Sequence, residues 1–192
     1  MGWNLSVVQA QGPAATVEGF ALVNGYRPEP NDLLASVEET VLGGDVEADA
    51  RPRLAVTETG AGLLLVARLI LNHSWAAGLS ERKGSATWAV WQGTSDSYAF
   101  AHYRDGALVR ELARHEGEAT LDFGAPLVPE ASLRWNDPDA APDDEQDLFD
   151  LVQRVTNLPE ASHWLAAPAR LYAPGAITEI ALAKKKRRLF RR

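Results

Sequence analysis

The stretch 85–114, SATWAVWQGTSDSYAFAHYRDGALVRELAR, constrains the fold more than any other part of the chain. Val90, Tyr98, Phe100, His102, Leu108 and Arg110 fall on alternating positions among small or polar neighbours, the period of a strand with one face turned to a core. Asp105-Gly106 lies between two such runs. An Asp-Gly pair there supplies the positive φ angles of a two-residue hairpin turn. The stretch therefore predicts strand, turn, strand, tight turn, strand, and an antiparallel sheet at the centre of the molecule.

The flanks add to that sheet. In 3–10, Trp3, Leu5 and Val7 alternate with Asn4 and Ser6, which suits a strand. Runs 54–59 and 63–70 flank Gly60-Ala61-Gly62 and read as a second hairpin, and Leu63 to Val66, lacking polar alternation, predicts cover on both faces. Thr120 to Phe123 reads as one short strand. Residues 170–173 and 177–183 read as a final pair around Pro174-Gly175, unless the second opens a helix.

Helices are expected over 17–23, capped by Thr16 and ending near Asn24-Gly25, and over 32–42, capped by Asn31 or Asp32, with its second half open to a strand. Others are expected over 72–84, over 145–156 behind Asp143 or Asp144 as cap, and over 159–166. Tyr26 to Asn31, with Pro28 and Pro30, reads as loop, as do the acidic stretches 43–53 and 136–147. The expected architecture is one α+β domain over 1–183, a mainly antiparallel sheet of about six strands with two to four helices packed on one face. A basic tail, 184–192, follows it.

The 192 residues contain no cysteine, which excludes disulfides, thiolate nucleophiles and thiolate metal sites. No run approaches the roughly 20 apolar residues of a membrane helix, and WNLSVVQAQ lacks the basic and apolar regions of a signal peptide, so a cytoplasmic protein is expected. Lys83 is the one lysine before the tail, while Ala and Arg are frequent, a usage that suggests a high-GC bacterial genome. Seven of the 19 basic residues stand in the tail, leaving twelve against 26 acidic ones in 1–183, a formal charge of −14.

Four features are candidate sites. Lys184, Lys185, Lys186, Arg187, Arg188, Arg191 and Arg192, with Leu189-Phe190 among them, form a polyanion-binding candidate for nucleic acid or an anionic surface. A solvated terminus, or one docked on this protein's own acidic surface, is the other reading, and docking on another copy would favour head-to-tail association. Six tryptophans are more than a core of this size usually requires; Trp88 and Trp91 have opposite parity in one strand and, with Trp135, are the candidate protein interface. His102 lies in the central strand and reads as packed and hydrogen-bonded; general-base work would need a partner within about 3 Å. The aspartates at 137, 139, 143, 144 and 147 lack the order of a calcium loop and read as linker and helix cap. No residue is assigned a catalytic, cofactor or metal role, and no cofactor is expected.

The central hairpin resembles a loose group of uncharacterised bacterial proteins, mostly from high-GC organisms. The residues that carry the likeness are Asp96 to Arg104, Asp105-Gly106, Leu108 to Leu112, Gly124-Ala125-Pro126 and Glu130, about a fifth of the chain. The resemblance implies an α+β domain and no particular activity. The functional expectation is a non-enzymatic protein-binding or accessory protein of the bacterial cytosol: an inhibitor, immunity-type or complex component. The alternative is a nucleic-acid-associated protein tethered by its tail, and a third reading is an enzyme using His102 with scattered carboxylates.

Overall fold

The computed structural model describes residues 4–11, 21, 24–29, 35–42, 53–68, 71–136 and 143–174. The expected helix at 17–23, Ala21 apart, the loop at 43–52, the strand or helix at 177–183 and the basic tail lie outside these residues.

Among the described residues nine strands succeed one another across a single sheet. In chain order they are β1 (Asn4–Ala10), β2 (Tyr26–Pro28), β4 (Leu54–Thr59), β5 (Gly62–Ala67), β6 (Ser85–Gln92), β7 (Ser97–Arg104), β8 (Ala107–His115), β9 (Glu118–Phe123) and β10 (Pro168–Pro174). A two-residue strand, β3 (Ala35–Ser36), also pairs with β10. The spatial order is β2-β10-β4-β5-β1-β6-β7-β8-β9, with every neighbouring pair antiparallel. The hairpins formed at their expected turns: Asp105 and Gly106 take φ of 49° and 81° between β7 and β8.

The sheet exceeds the expected six strands, and the helices cover both faces instead of one. Tyr26 to Pro28, expected as loop, is an edge strand, where a proline without an N–H is tolerated. Cover on both faces follows from β1, β4, β5 and β6, which bury apolar side chains at both parities. On one face Val8, Leu54, Leu63, Leu65 and Trp88 pack under α2 (Ser74–Lys83) through Trp75, Ala76 and Leu79. On the other, Leu5, Val7, Leu64, Val66, Trp91 and Phe100 pack under three helices: α1 (Val37–Leu42), α3 (Asp144–Thr156) and α4 (Ala161–Leu165).

Local chemistry sets the helix ends. Ser36, not Asn31 or Asp32, caps α1: its Oγ accepts from the Glu39 N–H at 3.1 Å while Glu39 accepts from the Ser36 N–H at 2.9 Å, a reciprocal capping box. Asp143 caps α3 by accepting from the Gln146 N–H. Helix α2 ends at Gly84, φ 83°, and is tied to the β7–β8 turn: the Gly106 N–H donates to Ser80 Oγ at 2.9 Å and the Asp105 N–H to the Gly84 carbonyl at 2.9 Å.

The β4–β5 turn gives a direct test of this packing. A Cβ on Gly62, φ +124°, would stand 2.5 Å from the Ala10 carbonyl oxygen, whereas one on Gly60 would meet nothing within 4 Å. Gly62→Ala is expected to lower unfolding free energy by about 1–3 kcal/mol or more. Gly60→Ala should change it by less than about 1 kcal/mol. Urea unfolding followed by tryptophan fluorescence measures both, and equal losses would contradict the described close approach of β5 to β1.

Candidate binding site

Between α3, α4 and the sheet lies a cleft of about 360 Å3. Its floor is Val7, Leu64 and Trp91 from β1, β5 and β6, and its walls are Phe149 and Val152 of α3 with Trp164 of α4. Phe149 stacks on Trp91 with ring centroids 4.4 Å apart and planes 24° from parallel, and Trp91 Nε1–H donates to the Glu145 carbonyl at 3.3 Å. Gln146, Asp150, Gln153, Glu160 and Ser162 supply the polar lining. Two carboxylates, Asp150 and Glu160, line the apolar and aromatic cleft, and Arg154 Nη2 lies 3.6 Å from the Asp150 carboxylate. Gln146 Nε2 donates to Asp150 at 2.8 Å, which fixes that carboxylate on the α3 surface.

The cover over this face is pinned by arginines. Arg110 on β8 is 2% exposed, and its Nε and Nη2 donate to the two oxygens of Glu130 at 2.8 and 2.7 Å. Its Nη1 donates to Asp122 and to the Phe123 and Gly124 carbonyls, and Glu130 also accepts from the Leu127 N–H at 2.8 Å. Hydrogen bonding to Glu130 holds the Arg110 guanidinium above its ordinary pKa against the opposing effect of burial. Four residues further along β8, Arg114 Nε donates to Asp144 at 2.7 Å at the start of α3, and its guanidinium lies 5.4 Å from the Trp135 ring centroid. Asp147 on α3 accepts from the Arg134 and Trp135 N–H groups at 3.2 and 2.7 Å.

This places most of the residues singled out from sequence. Trp91 is fully buried beneath Phe149. Trp88, on the opposite face as its parity required, is 8% exposed and donates its indole N–H to the Leu71 carbonyl at 2.6 Å. Trp135 is half-buried and faces Arg114. The seven basic tail residues lie outside the described residues. Asp143, Asp144 and Asp147 cap α3 or pair with arginines. Three of the residues on which the resemblance was read, Arg110, Gly124 and Glu130, meet at one buried ion pair. His102 is 7% exposed and its Nδ1 lies 2.9 Å from Thr87 Oγ1, a hydroxyl and not a carboxylate. Burial lowers its pKa, with a smaller contribution from Arg104.

Sequence reasoning missed Phe149, Trp164, Asp150 and Glu160 as one site. Their proximity depends on α3 and α4 lying side by side on β1, β5 and β6, which no local pattern encodes. It also missed β9 as a surface: all six of its residues are exposed, and Leu121 and Phe123 are among the most exposed large apolar side chains, at 41% and 51%. Next to it, Val90, Ala99, Ala113 and Thr120 line a shallow groove of about 240 Å3. Among the described residues no helix is long and apolar enough to cross a membrane, and no group of three or more His, Asp or Glu is placed to hold a metal. No protein family, curated protein or solved structure matches the chain.

Removing one side of the buried pair strands the other. Arg110→Ala is expected to cost about 3–5 kcal/mol. The double variant Arg110→Met, Glu130→Leu should recover a large part of that loss, because no charge is left buried and unpaired. Chemical unfolding of the three proteins decides it; a double variant no more stable than Arg110→Ala would contradict the ion-pair account.

For His102, the unfolded state binds its proton at a higher pH than the folded state does. Above the ordinary histidine pKa of about 6.5 both are neutral. As pH falls below that value the unfolded state is protonated first, and stability declines. His102→Gln should flatten this decline between about pH 7 and pH 5 in thermal unfolding. An unchanged slope would assign the decline to other groups.

Proposed function

We propose that the protein is a non-enzymatic binding or accessory component of the bacterial cytosol, acting as an inhibitor, immunity-type protein or complex subunit. It takes a protein partner into the cleft between α3 and α4. The observation that carries this reading is the cleft itself: about 360 Å3, floored by Trp91, walled by Phe149 and Trp164, and lined by the carboxylates of Asp150 and Glu160. That volume is at the small end of ligand sites, room for one or two side chains rather than a cofactor. Aromatic pockets of this kind suit the anchor residues that dominate protein interfaces. The complementary partner presents an apolar side chain beside Lys or Arg, and the charge of −14 over 1–183 would speed its approach at low salt.

The second reading gives Lys184 to Arg192 to nucleic acid. Its support is the density of charge, seven cations in nine residues. Nuclease treatment separates it from the first.

The test places a photo-crosslinking residue at Ser162, in the cleft lining, or at Arg82 on the α2 side of the sheet, in nuclease-treated lysate of the source organism. A discrete protein adduct is expected from Ser162 and not from Arg82, reduced several-fold by Glu160→Lys. Adducts that form equally from both positions, or that ignore Glu160→Lys, would refute the cleft as the docking site.

A further inference from the structure

The two edges of the sheet are built differently. Edge strand β2 is three residues long and carries Arg27 and Pro28, features that discourage further pairing. Edge strand β9 is six residues long, exposed throughout, and has neither Pro nor Lys. Its outer rim is an open row of backbone donors and acceptors, the template for strand addition. Leu121 and Phe123 stand on it as exposed apolar side chains. Its charges are all negative: Glu118 and Asp122 on the strand and Glu116 in the turn before it. Pairing β9 with the β9 of a second copy would bring these carboxylates together, which is unfavourable. The strand that fits is basic, with an apolar residue on the Leu121 side.

We propose that the β9 edge accepts the segment Lys184–Arg192 of a second copy as an added strand. Seven of its nine side chains are cationic, complementing Glu116 and Glu118. Leu189 and Phe190 are adjacent, so in an extended segment one of them faces Leu121 and Phe123 whichever register is adopted. Within one chain the reach falls short. Tyr172 on β10 and Leu121 on β9 end one continuous cross-strand row, through Leu54, Ala67, Ser6, Val90, Ala99 and Ala113. An added strand lies one spacing beyond β9, and eight spacings of about 4.8 Å make roughly 38 Å. The ten residues from Pro174 to Lys184 span up to about 35 Å when extended.

The absence of cysteine makes the test direct, because Arg188→Cys creates the single thiol for a nitroxide spin label in the full chain. Amide signals of residues 118–123 are expected to lose most of their intensity relative to the reduced label, while Arg27 at the other edge keeps its own. A mixture of isotope-labelled chain without the nitroxide and nitroxide-bearing chain without isotope is expected to show the same loss, and loss confined to the doubly labelled chain would overturn the proposal. Glu118→Lys should reduce the loss several-fold in either sample. Signals at 118–123 that keep their intensity in both samples, or an equal loss at Arg27, would overturn the proposal. So would a tail that leaves β9 untouched and is broadened instead by added duplex DNA.

Discussion

The guanidinium of Arg110 is the interaction on which one whole side of the molecule rests. A charged group at 2% exposure is tolerable only when its donors are met, and here a bidentate carboxylate, a second carboxylate and two carbonyls meet them. These acceptors come from β9, the turn after it and the 3-10 turn at 128–132, so one side chain fixes where the chain goes as it leaves the sheet. The pairs that follow extend the effect. Arg114 to Asp144 and Asp147 to the 134–135 backbone carry the constraint from the sheet to the 3-10 turns and into the first turn of α3. Helix α3 in turn walls the cleft. The aromatic site therefore owes its shape to polar contacts made two strands away from it.

Burial explains why the sheet needs cover on two sides and why that cover stops short of β9. In β5 the residues from Leu63 to Ala67 are each no more than 1% exposed, so both parities require partners. Helix α2 serves one face and α1, α3 and α4 the other. Toward β8 and β9 the pattern changes to Arg110, Glu111, Arg114, Glu118 and Asp122, which water or an ion pair can satisfy. Leu121 and Phe123 break that pattern and remain uncovered, which makes β9 a surface of a different kind from the protected β2.

How much of this was legible in the sequence differs from element to element. The β6–β7–β8 meander, the β4–β5 hairpin, α2 and the Asp143 cap follow from local alternation, turn chemistry and capping, and the chain adopts them. The opposite orientations of Trp88 and Trp91 were equally plain from parity. Loss begins where long-range pairing decides. Tyr26 to Pro28 carries a loop signature and becomes a strand only because β10, about 145 residues later, lies beside it. Helices on both faces were implicit in the unbroken apolar run of β5, but the strands around it were read by one parity alone. Arg110, Gly124 and Glu130 stand apart in the sequence, and what joins them is an ion pair spanning 20 residues that spacing does not reveal. Trp88 and Trp91 drew attention as surplus aromatics, yet Trp91 serves as the floor of a site whose accessible ring is Phe149.

Charge connects the cleft and the edge. Both carry carboxylates, Asp150 and Glu160 in one and Glu116 and Glu118 in the other, and the tail is the most basic segment of the chain. A tail seated on β9 would lower the net charge that an approaching basic partner meets, slowing its capture without touching the cleft. Conversely, a polyanion that drew the tail away would restore the full field of the acidic body. If both proposed readings hold, what binds the tail would alter how fast the cleft is found, through long-range electrostatics alone, and that coupling would weaken as salt shortens the Debye length below the distance between the two sites.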